Sequence, residues 1–184
     1  MSSIFDLFRK IETEKAPPAP VTHIVAGLGN YGREYEGTRH NAGFSAIDIL
    51  SDRKKLSVTR AKFDALTDET VINGKRILVM KPQLYMNLSG VSVKKAADFY
   101  KIPAENIIVI CDDINLDVGK LRIRRKGSDG GQKGLRNIAE QLGTDAFPRI
   151  RVGVGKVPVG GEFHFQSRRD GSRCDITFAA LRQF

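Results

Sequence analysis

The sequence has few cysteines and no long hydrophobic segment. Its 184 residues include only two cysteines, Cys111 and Cys174, which argues against a disulfide scaffold and predicts a reduced, cytoplasmic compartment. No apolar run approaches the ~20 residues that a transmembrane helix needs, so we expect no membrane partner. Apolar residues make up 41% and charged residues 28% of the chain, which excludes disordered and collagen-like classes. The length predicts one domain whose core needs neither a metal nor a disulfide for stability.

Positive charge is concentrated in one part of the chain. The formal net charge is +9, and residues 120–151 contain nine Lys and Arg but only three acids. Arg122 and Arg124 alternate with apolar residues, so both are expected on one face of a strand. A charged face that contacts only water is one interpretation. The local concentration instead favours a phosphate-binding surface for a polyanion such as nucleic acid.

Apolar periodicity and helix-breaking residues divide the chain into three segments. Residues 1–20 are predicted to be an amphipathic lead-in with a Pro-rich linker, 21–155 a folded domain, and 156–184 an atypical tail. Strands and helices alternate within the domain, which predicts an α/β fold. We expect a single three-layer domain with a mixed, mostly parallel twisted sheet flanked by helices.

The individual elements follow from the same periodicities. Strands are predicted over 23–26, 107–110, 121–125 and 149–154, and helices over 41–54, 91–100 and 134–142. Residues 63–65 and 70–72 are predicted as short paired strands. Asn73-Gly74 is the expected hairpin turn before a strand at 76–80.

A glycine-rich segment, Gly27-Leu28-Gly29-Asn30-Tyr31-Gly32, follows the first strand. It fits G-x-G-x-x-G, but the next helix pattern begins only near Asn41, and no second strand ends in a ribose-binding acid. These differences argue against a dinucleotide cofactor. What remains is a tight turn that presents Asn30 at the carboxyl end of a strand, where open α/β sheets bind ligands.

One of the three histidines is a candidate base. His40 lies in a polar loop just before a helix, and neutral imidazole can accept a proton near pH 7. A helix start also disfavours the imidazolium form. His23, at a strand entry, and His164, in the tail, are interpreted as structural.

Two further polar segments follow predicted strands. Asp112 and Asp113 have no accompanying Cys or His ligands, so a carboxylate that orients His40 fits better than a metal site. For Asp113 and Asp117, a side chain that contacts only solvent is a further interpretation. Asn87 and Ser89 have two interpretations, as helix caps or as groups that hold a substrate carbonyl.

Taken together, these segments resemble the bacterial-type peptidyl-tRNA hydrolases. The resemblance covers residues 22–155 and rests on motifs that occur in the same order. They are Gly27-Leu28-Gly29-Asn30, Thr38-Arg39-His40-Asn41-Ala42-Gly43-Phe44, Tyr85-Met86-Asn87-Leu88-Ser89-Gly90, Asp112-Asp113, and Phe147-Pro148-Arg149-Ile150-Arg151-Val152-Gly153-Val154-Gly155. The resemblance implies a monomeric α/β hydrolase without metal or cofactor that cleaves the ester between peptide and tRNA and recycles tRNA during translation.

The same resemblance implies roles for individual residues. His40 corresponds to the catalytic histidine that activates water, and Asp112 to the acid that orients it. Asn30 and Asn87 correspond to amides that position substrate and water. Further substrate contacts are implied for Tyr35 (near the terminal adenosine), Met86 (in the peptide channel) and Tyr85, and tRNA phosphate contacts for Arg122 and Arg124. Lys133 stands where the family has an amide that contacts substrate, and we expect its charge to contact a substrate phosphate instead.

Three departures from the family pattern stand out. Asn30-Tyr31-Gly32 replaces the usual Asn-Pro-Gly, and Gly130-Gly131-Gln132-Lys133-Gly134 replaces Gly-Gly-His-Asn-Gly, so Lys133 cannot supply the family's amide. The sequence of the tail at 156–184 shows none of the pattern of the family's C-terminal helix, and loss of that helix would uncover apolar sheet surface. The alternatives to an active hydrolase are therefore a non-catalytic RNA-binding protein on the same fold and a C-terminally altered product with poor activity.

Overall fold

A seven-stranded sheet forms the centre of the molecule. The computed structural model describes residues 19–36 and 38–155, so the predicted lead-in over 1–18 and tail over 156–184 lie outside the described residues. The strands are β1 (Val21–Gly27), β2 (Arg60–Lys62), β3 (Ala65–Ile72), β4 (Lys75–Pro82), β5 (Ile107–Asp113), β6 (Leu121–Arg124) and β7 (Arg149–Gly153). The α-helices in the described ranges are α1 (Ala42–Lys54), α2 (Ser89–Tyr100) and α3 (Lys133–Leu142).

The strand order is β2-β3-β4-β1-β5-β7-β6. The four strands β4, β1, β5 and β7 are parallel to one another, whereas the pairs β2–β3, β3–β4 and β6–β7 are antiparallel. The predicted mixed sheet is therefore confirmed, with its antiparallel pairs toward both edges. The carboxyl ends of β1 and β5 lie side by side in the centre, which is where ligands bind to sheets of this kind.

Helices cover both faces of the sheet and give the three layers. Helix α1 packs its Ala46, Ile47 and Leu50 against one face. Helices α2 and α3 pack on the other face, through residues such as Val93 and Leu135. Strand β5 is buried along its whole length between these layers, as its β-branched run predicts. No helix in the described ranges is long and apolar enough to span a membrane.

Strand β5 also carries the cysteine Cys111 into the core. The thiol is fully buried, and this burial, followed by the nearby Asp112, raises its pKa to about 12. A thiol with so high a pKa is not a nucleophile at neutral pH. Cys111 therefore acts as a small apolar core residue.

Two hairpins, β2–β3 and β3–β4, can be compared with the predictions for this part of the chain. Asn73 and Gly74 have φ of 52° and 76° and join Ile72 to its partner Lys75, so the predicted hairpin turn is confirmed. The predicted strand at 63–65 is wrong, because Phe63 and Asp64 form the turn between β2 and β3, with φ of 59° and 53°. Strand β2 ends before them, and β3 begins only at Ala65.

Candidate active site

A cleft of about 860 Å³ opens at the carboxyl ends of the central strands. It is bounded by the turn after β1, the segment after β4, the end of β5, and the loop and first turns of α3. Of the predicted site residues, the cleft brings together Asn30, His40, Tyr85, Met86, Asn87, Asp112 and Lys133. Tyr35, Arg122 and Arg124 do not belong to its lining.

His40 and Asp112, 72 residues apart in sequence, are in contact at the cleft. His40 lies in the short 3-10 turn Arg39–Asn41, which leads into α1, and Asp112 lies near the end of β5. The distance from His40 Nδ1 to Asp112 Oδ2 is 3.2 Å, and the His40 side chain is 57% exposed while that of Asp112 is only 10% exposed. When Nδ1 of the neutral imidazole donates to this carboxylate, Nε2 is left as a proton acceptor.

Two glycines allow this contact by bringing α1 close to the sheet. A Cβ on Gly43 would lie 2.4 Å from the backbone oxygen of Ile110, and a Cβ on Gly27 would lie 2.3 Å from the oxygen of Gly43. Real Cβ atoms do not approach backbone atoms so closely, so only glycine fits at either position. The tight crossing holds the start of α1, and with it His40, beside β5.

Asn30 links the turn after β1 to the segment after β4. Its Oδ1 accepts a hydrogen bond from the backbone N–H of Met86 at 3.0 Å. The buried Asn41 side chain makes two hydrogen bonds to the Asn30 backbone. Its Oδ1 accepts from the Asn30 N–H at 2.8 Å, and its Nδ2 donates to the Asn30 backbone oxygen at 3.0 Å. Asn30 Nδ2 has no acceptor among the described residues, which leaves it available to a substrate.

The second acid, Asp113, faces the opposite side of the sheet. Its Oδ2 lies 3.3 Å from Nε of Arg151 on β7, and both side chains are largely buried. The interpretation of Asp113 as a solvated side chain is therefore wrong, whereas Asp117 is exposed. Because successive residues of a strand point to opposite faces, only Asp112 is directed toward α1 and His40.

Arg151 also supports the loop before α3. Its NH2 group donates to the backbone oxygen of Asp129 at 2.7 Å. The Arg136 guanidinium, followed by the N–H of Gly131, lowers the pKa of the Asp129 carboxyl. These contacts fix the loop on both of its sides, so that the residues after it enter the cleft in a defined position.

Two exposed tyrosines, Tyr31 and Tyr85, lie side by side, and Tyr85 belongs to the cleft lining. The rings of Tyr31 and Tyr85 lie 5.2 Å apart, with their planes tilted by 46°. A hydrogen bond to Tyr85 raises the pKa of Tyr31, and the neighbouring Glu34 and Tyr35 act in the same direction. Tyr31 stands in place of the proline expected from the resemblance, and it adds a second aromatic ring beside Tyr85.

Four arginines share the face of the sheet that carries α2 and α3. Arg122 lies opposite Arg151, and Arg124 lies opposite Arg149, across the β6–β7 pair. Arg149 is buried and donates to backbone oxygens of Phe147 and Asp145; burial lowers its pKa. Arg122 and Arg124 are exposed and have no carboxylate partner among the described residues, so their charge is available to an anion.

Sequence reasoning missed several residues that shape the site. The sequence shows Asn41 only as part of a motif and Gln132 only as a departure from the family pattern, and it leaves Asp113 open to interpretation as a solvated side chain. Gln132 nevertheless contacts Asp112 directly, at 3.1 Å. The one available signal was its position before an amphipathic helix, which is typical of a capping residue.

No group of three or more His, Cys, Asp or Glu side chains within 19–36 and 38–155 is arranged to hold a metal ion.

Comparisons with known proteins point to one family. A family model described as "Peptidyl-tRNA hydrolase" matches residues 24–166. The chain is 53% identical over 134 residues to a peptidyl-tRNA hydrolase of Caldanaerobacter subterraneus subsp. tengcongensis, a match that covers 73% of this chain and 72% of that protein. It is 51% identical over 133 residues to one from Clostridium novyi, covering 72% and 71%.

A solved structure agrees with these sequence matches. The crystal structure of peptidyl-tRNA hydrolase from Acinetobacter baumannii superposes with a TM-score of 0.70 and 34% sequence identity. The superposition covers 80% of this chain and 74% of the other. Sequence and fold are therefore similar to the same group of proteins.

Proposed function

The chain belongs to the peptidyl-tRNA hydrolase family and hydrolyses peptidyl-tRNA, and we propose that His40 is the general base of this reaction. The observation that carries the assignment is the contact between His40 Nδ1 and Asp112 Oδ2, at 3.2 Å, in the cleft at the carboxyl end of the sheet. A histidine oriented by a carboxylate is the usual arrangement for activating a nucleophile.

The reaction is hydrolysis of the ester between the peptide and the terminal ribose. His40 Nε2 takes a proton from water as the water oxygen attacks the ester carbonyl. The tetrahedral intermediate then expels the ribose oxygen, which receives the proton from the imidazolium, and the products are a free peptide carboxyl and tRNA. Asp112 holds the imidazole tautomer and stabilises its charged form.

Amides of the cleft are suited to the carbonyl oxygen. Asn30 Nδ2 has no hydrogen-bond acceptor among the residues that the structure describes, and the exposed Asn87 belongs to the cleft lining. We assign to these two groups the positioning of substrate and water, because a donor aimed at a developing oxyanion is worth about 100-fold or more in rate. Met86, Tyr85 and Lys133 also line the cleft, and we place the peptide and the end of the tRNA against them. Tyr35, which is not part of the lining, is assigned to the terminal adenosine.

The phosphate backbone of the tRNA is assigned to Arg122 and Arg124. Both side chains are exposed on the same face as α3, and Arg151, opposite Arg122, lines the cleft. The basic face therefore continues from the catalytic cleft, as a substrate that carries its ester at the end of a phosphate chain requires. Phosphate contacts of this kind supply affinity that falls steeply with salt.

We expect Arg122→Gln combined with Arg124→Gln to weaken tRNA binding roughly tenfold in moderate salt. The slope of log affinity against log salt should become shallower by about 2, because each lost phosphate contact removes about one released counterion. At saturating substrate, kcat should be unchanged. The matched control, Arg60→Gln with Lys101→Gln, removes two exposed charges outside the β6–β7 face. If the control loses as much affinity as the test variant, the phosphate contacts lie elsewhere.

The activity itself is tested with an N-blocked aminoacyl-tRNA, the simplest peptidyl-tRNA. The full chain should release free tRNA from it with multiple turnovers and without added metal. A non-catalytic RNA-binding protein on the same fold would bind this substrate and release nothing. A chain that unfolds cooperatively, binds the substrate and fails to cleave it would contradict the proposal.

We also propose that the enzyme works as a monomer in the cytoplasm, with the catalytic unit in residues 21–155. All residues that line the cleft fall within this range, and the low cysteine content suits a reducing compartment. Sedimentation at the concentration of the activity assay should give a mass near 20.4 kDa. A stable dimer that loses activity on dilution would contradict the monomer proposal.

A further inference from the structure

Both ends of the Gln132 side-chain amide make hydrogen bonds. Its Oε1 accepts from the backbone N–H of Leu135 at 2.8 Å and so caps the start of α3. Its Nε2 donates to Asp112 Oδ1 at 3.1 Å and lies 3.2 Å from the sulfur of Met86. The partners fix the orientation of the amide, because the oxygen must face the N–H donor and the nitrogen must face the carboxylate.

These contacts leave Asp112 with a defined partner on each oxygen. Oδ2 contacts His40 Nδ1, and Oδ1 accepts a hydrogen bond from Gln132 Nε2. The Asp112 side chain is buried. The torsion that turns an aspartate carboxylate is broad and has little preference of its own. A donor on the second oxygen therefore determines how the first oxygen is presented to the histidine.

The surroundings of Gln132 hold it in turn. Its backbone N–H donates to the Asp129 oxygen at 3.1 Å, and Asp129 belongs to the loop that Arg151 and Arg136 support. A Cβ on Gly134 would lie 2.9 Å from the Met86 sulfur and 3.0 Å from Gln132 Oε1, so the glycine lets α3 start close to these groups. The Gln132 amide is therefore held at the start of α3, at the N-cap position, and not in an unsupported loop.

We propose that Gln132 is a positioning residue for the hydrolysis reaction, acting on His40 through Asp112. It is not a catalytic residue, since it reaches Asp112 and the wall of the cleft rather than the reacting atoms. The inference rests on the function proposed for His40 and goes beyond it, because it makes the N-terminus of α3 part of the catalytic arrangement. Loss of this donor should lower kcat and leave KM unchanged.

The test must separate positioning from helix capping, and Gln132→Ser does so. Serine is a favoured N-cap residue, so the helix keeps its cap, but its side chain is too short to reach Asp112. We expect kcat to fall about tenfold, the effect of losing one hydrogen bond to a charged group, with KM and Tm close to those of the parent. Gln141→Ser, at an exposed position of the same helix, is the matched control and should leave all three unchanged.

A second variant tests the donor itself. Gln132→Glu keeps the reach and a capping oxygen but replaces the N–H donor with a carboxylate beside Asp112. It should lose at least as much kcat as the serine variant while still unfolding cooperatively. If both variants retain the parent's kcat, Gln132 only caps the helix and the proposal is wrong.

The outcomes also separate this inference from the function on which it rests. If the parent cleaves peptidyl-tRNA, His40→Ala does not, and Gln132→Ser matches the parent, only the role of Gln132 is overturned. If His40→Ala cleaves as fast as the parent, the proposed role of His40 fails first. A fall in kcat for Gln132→Ser together with an equal rise in KM would indicate substrate binding rather than positioning, and would also overturn the inference.

Discussion

Replacing His40 with alanine is expected to lower kcat about a thousand-fold. General-base catalysis by a positioned side chain typically contributes 10²–10⁴ in rate, and a thousand-fold loss corresponds to about 4 kcal/mol of barrier. The folded state should lose little, because the His40 side chain is 57% exposed. Binding of tRNA should also persist, since Arg122 and Arg124 are untouched.

The measurement is the single-turnover rate of tRNA release, taken with a thermal melt and a tRNA binding curve for each protein. His23→Ala is the matched control: the structure places this histidine at the start of β1, outside the cleft lining. The control should retain the parent's rate. A His40→Ala protein that is folded, binds tRNA and cleaves within threefold of the parent would show that another group is the base.

Replacing Gly43 with alanine is expected to lower the free energy of unfolding by about 3 kcal/mol. The added Cβ would lie 2.4 Å from three backbone atoms: the oxygen of Ile110 and the nitrogen and oxygen of Leu28. Backbone atoms cannot move aside as a flexible side chain can, so α1 must shift away from the sheet. The loss outweighs the ~1 kcal/mol by which alanine is the better helix former.

Because His40 lies two residues before the start of α1, the same shift should reduce kcat in the fraction that remains folded. Equilibrium denaturation gives the stability, and the activity assay below the transition gives kcat. Ser45→Ala, in the same turn of the helix, removes atoms rather than adding them and should change stability by less than about 1 kcal/mol. An equally stable and active Gly43→Ala protein would contradict the close packing of α1 on β1 and β5.

Strong local patterns allowed much of the fold to be predicted. The β-branched run of β5 indicates a buried strand without reference to the rest of the chain, and Asn73-Gly74 has the backbone freedom that a two-residue hairpin turn requires. Phe63 and Asp64 carry no such signal. Phe63 adopts positive φ in a turn where its ring packs on Phe99 and Tyr100, at 5.3 and 5.9 Å. Contacts distant in sequence therefore offset a locally unfavourable conformation.

The site was partly predictable because its residues follow strands that end at one edge of the sheet. Asn30, Asn87 and Asp112 could be placed there from topology alone, and the structure brings them near His40. Whether Asp112 or Asp113 contacts His40 depends on the face of β5 to which each side chain points. The sequence after Ile110 does not show how far the strand continues, so it does not fix these faces. The burial of Asp113 is therefore visible only in the structure.

The role of Gln132 could not be predicted because it depends on the meeting of two elements. Its capping position is readable from local sequence, but its contact with Asp112 requires α3 to begin beside the end of β5. The same holds for Asn41, whose side chain holds the Asn30 backbone across a turn. Such contacts follow from packing, in which Gly43 and Gly134 set the distances, rather than from any periodicity.

The most direct test of the central claim is rescue of His40→Ala by free imidazole. The parent side chain is more than half exposed, so its removal leaves a space that a small base can enter from solvent. We expect the rate of tRNA release from an N-blocked aminoacyl-tRNA to rise with imidazole concentration, to saturate, and to follow the unprotonated fraction of imidazole as pH is changed. A folded, tRNA-binding His40→Ala protein whose rate does not respond to imidazole would contradict the assignment of His40 as the base.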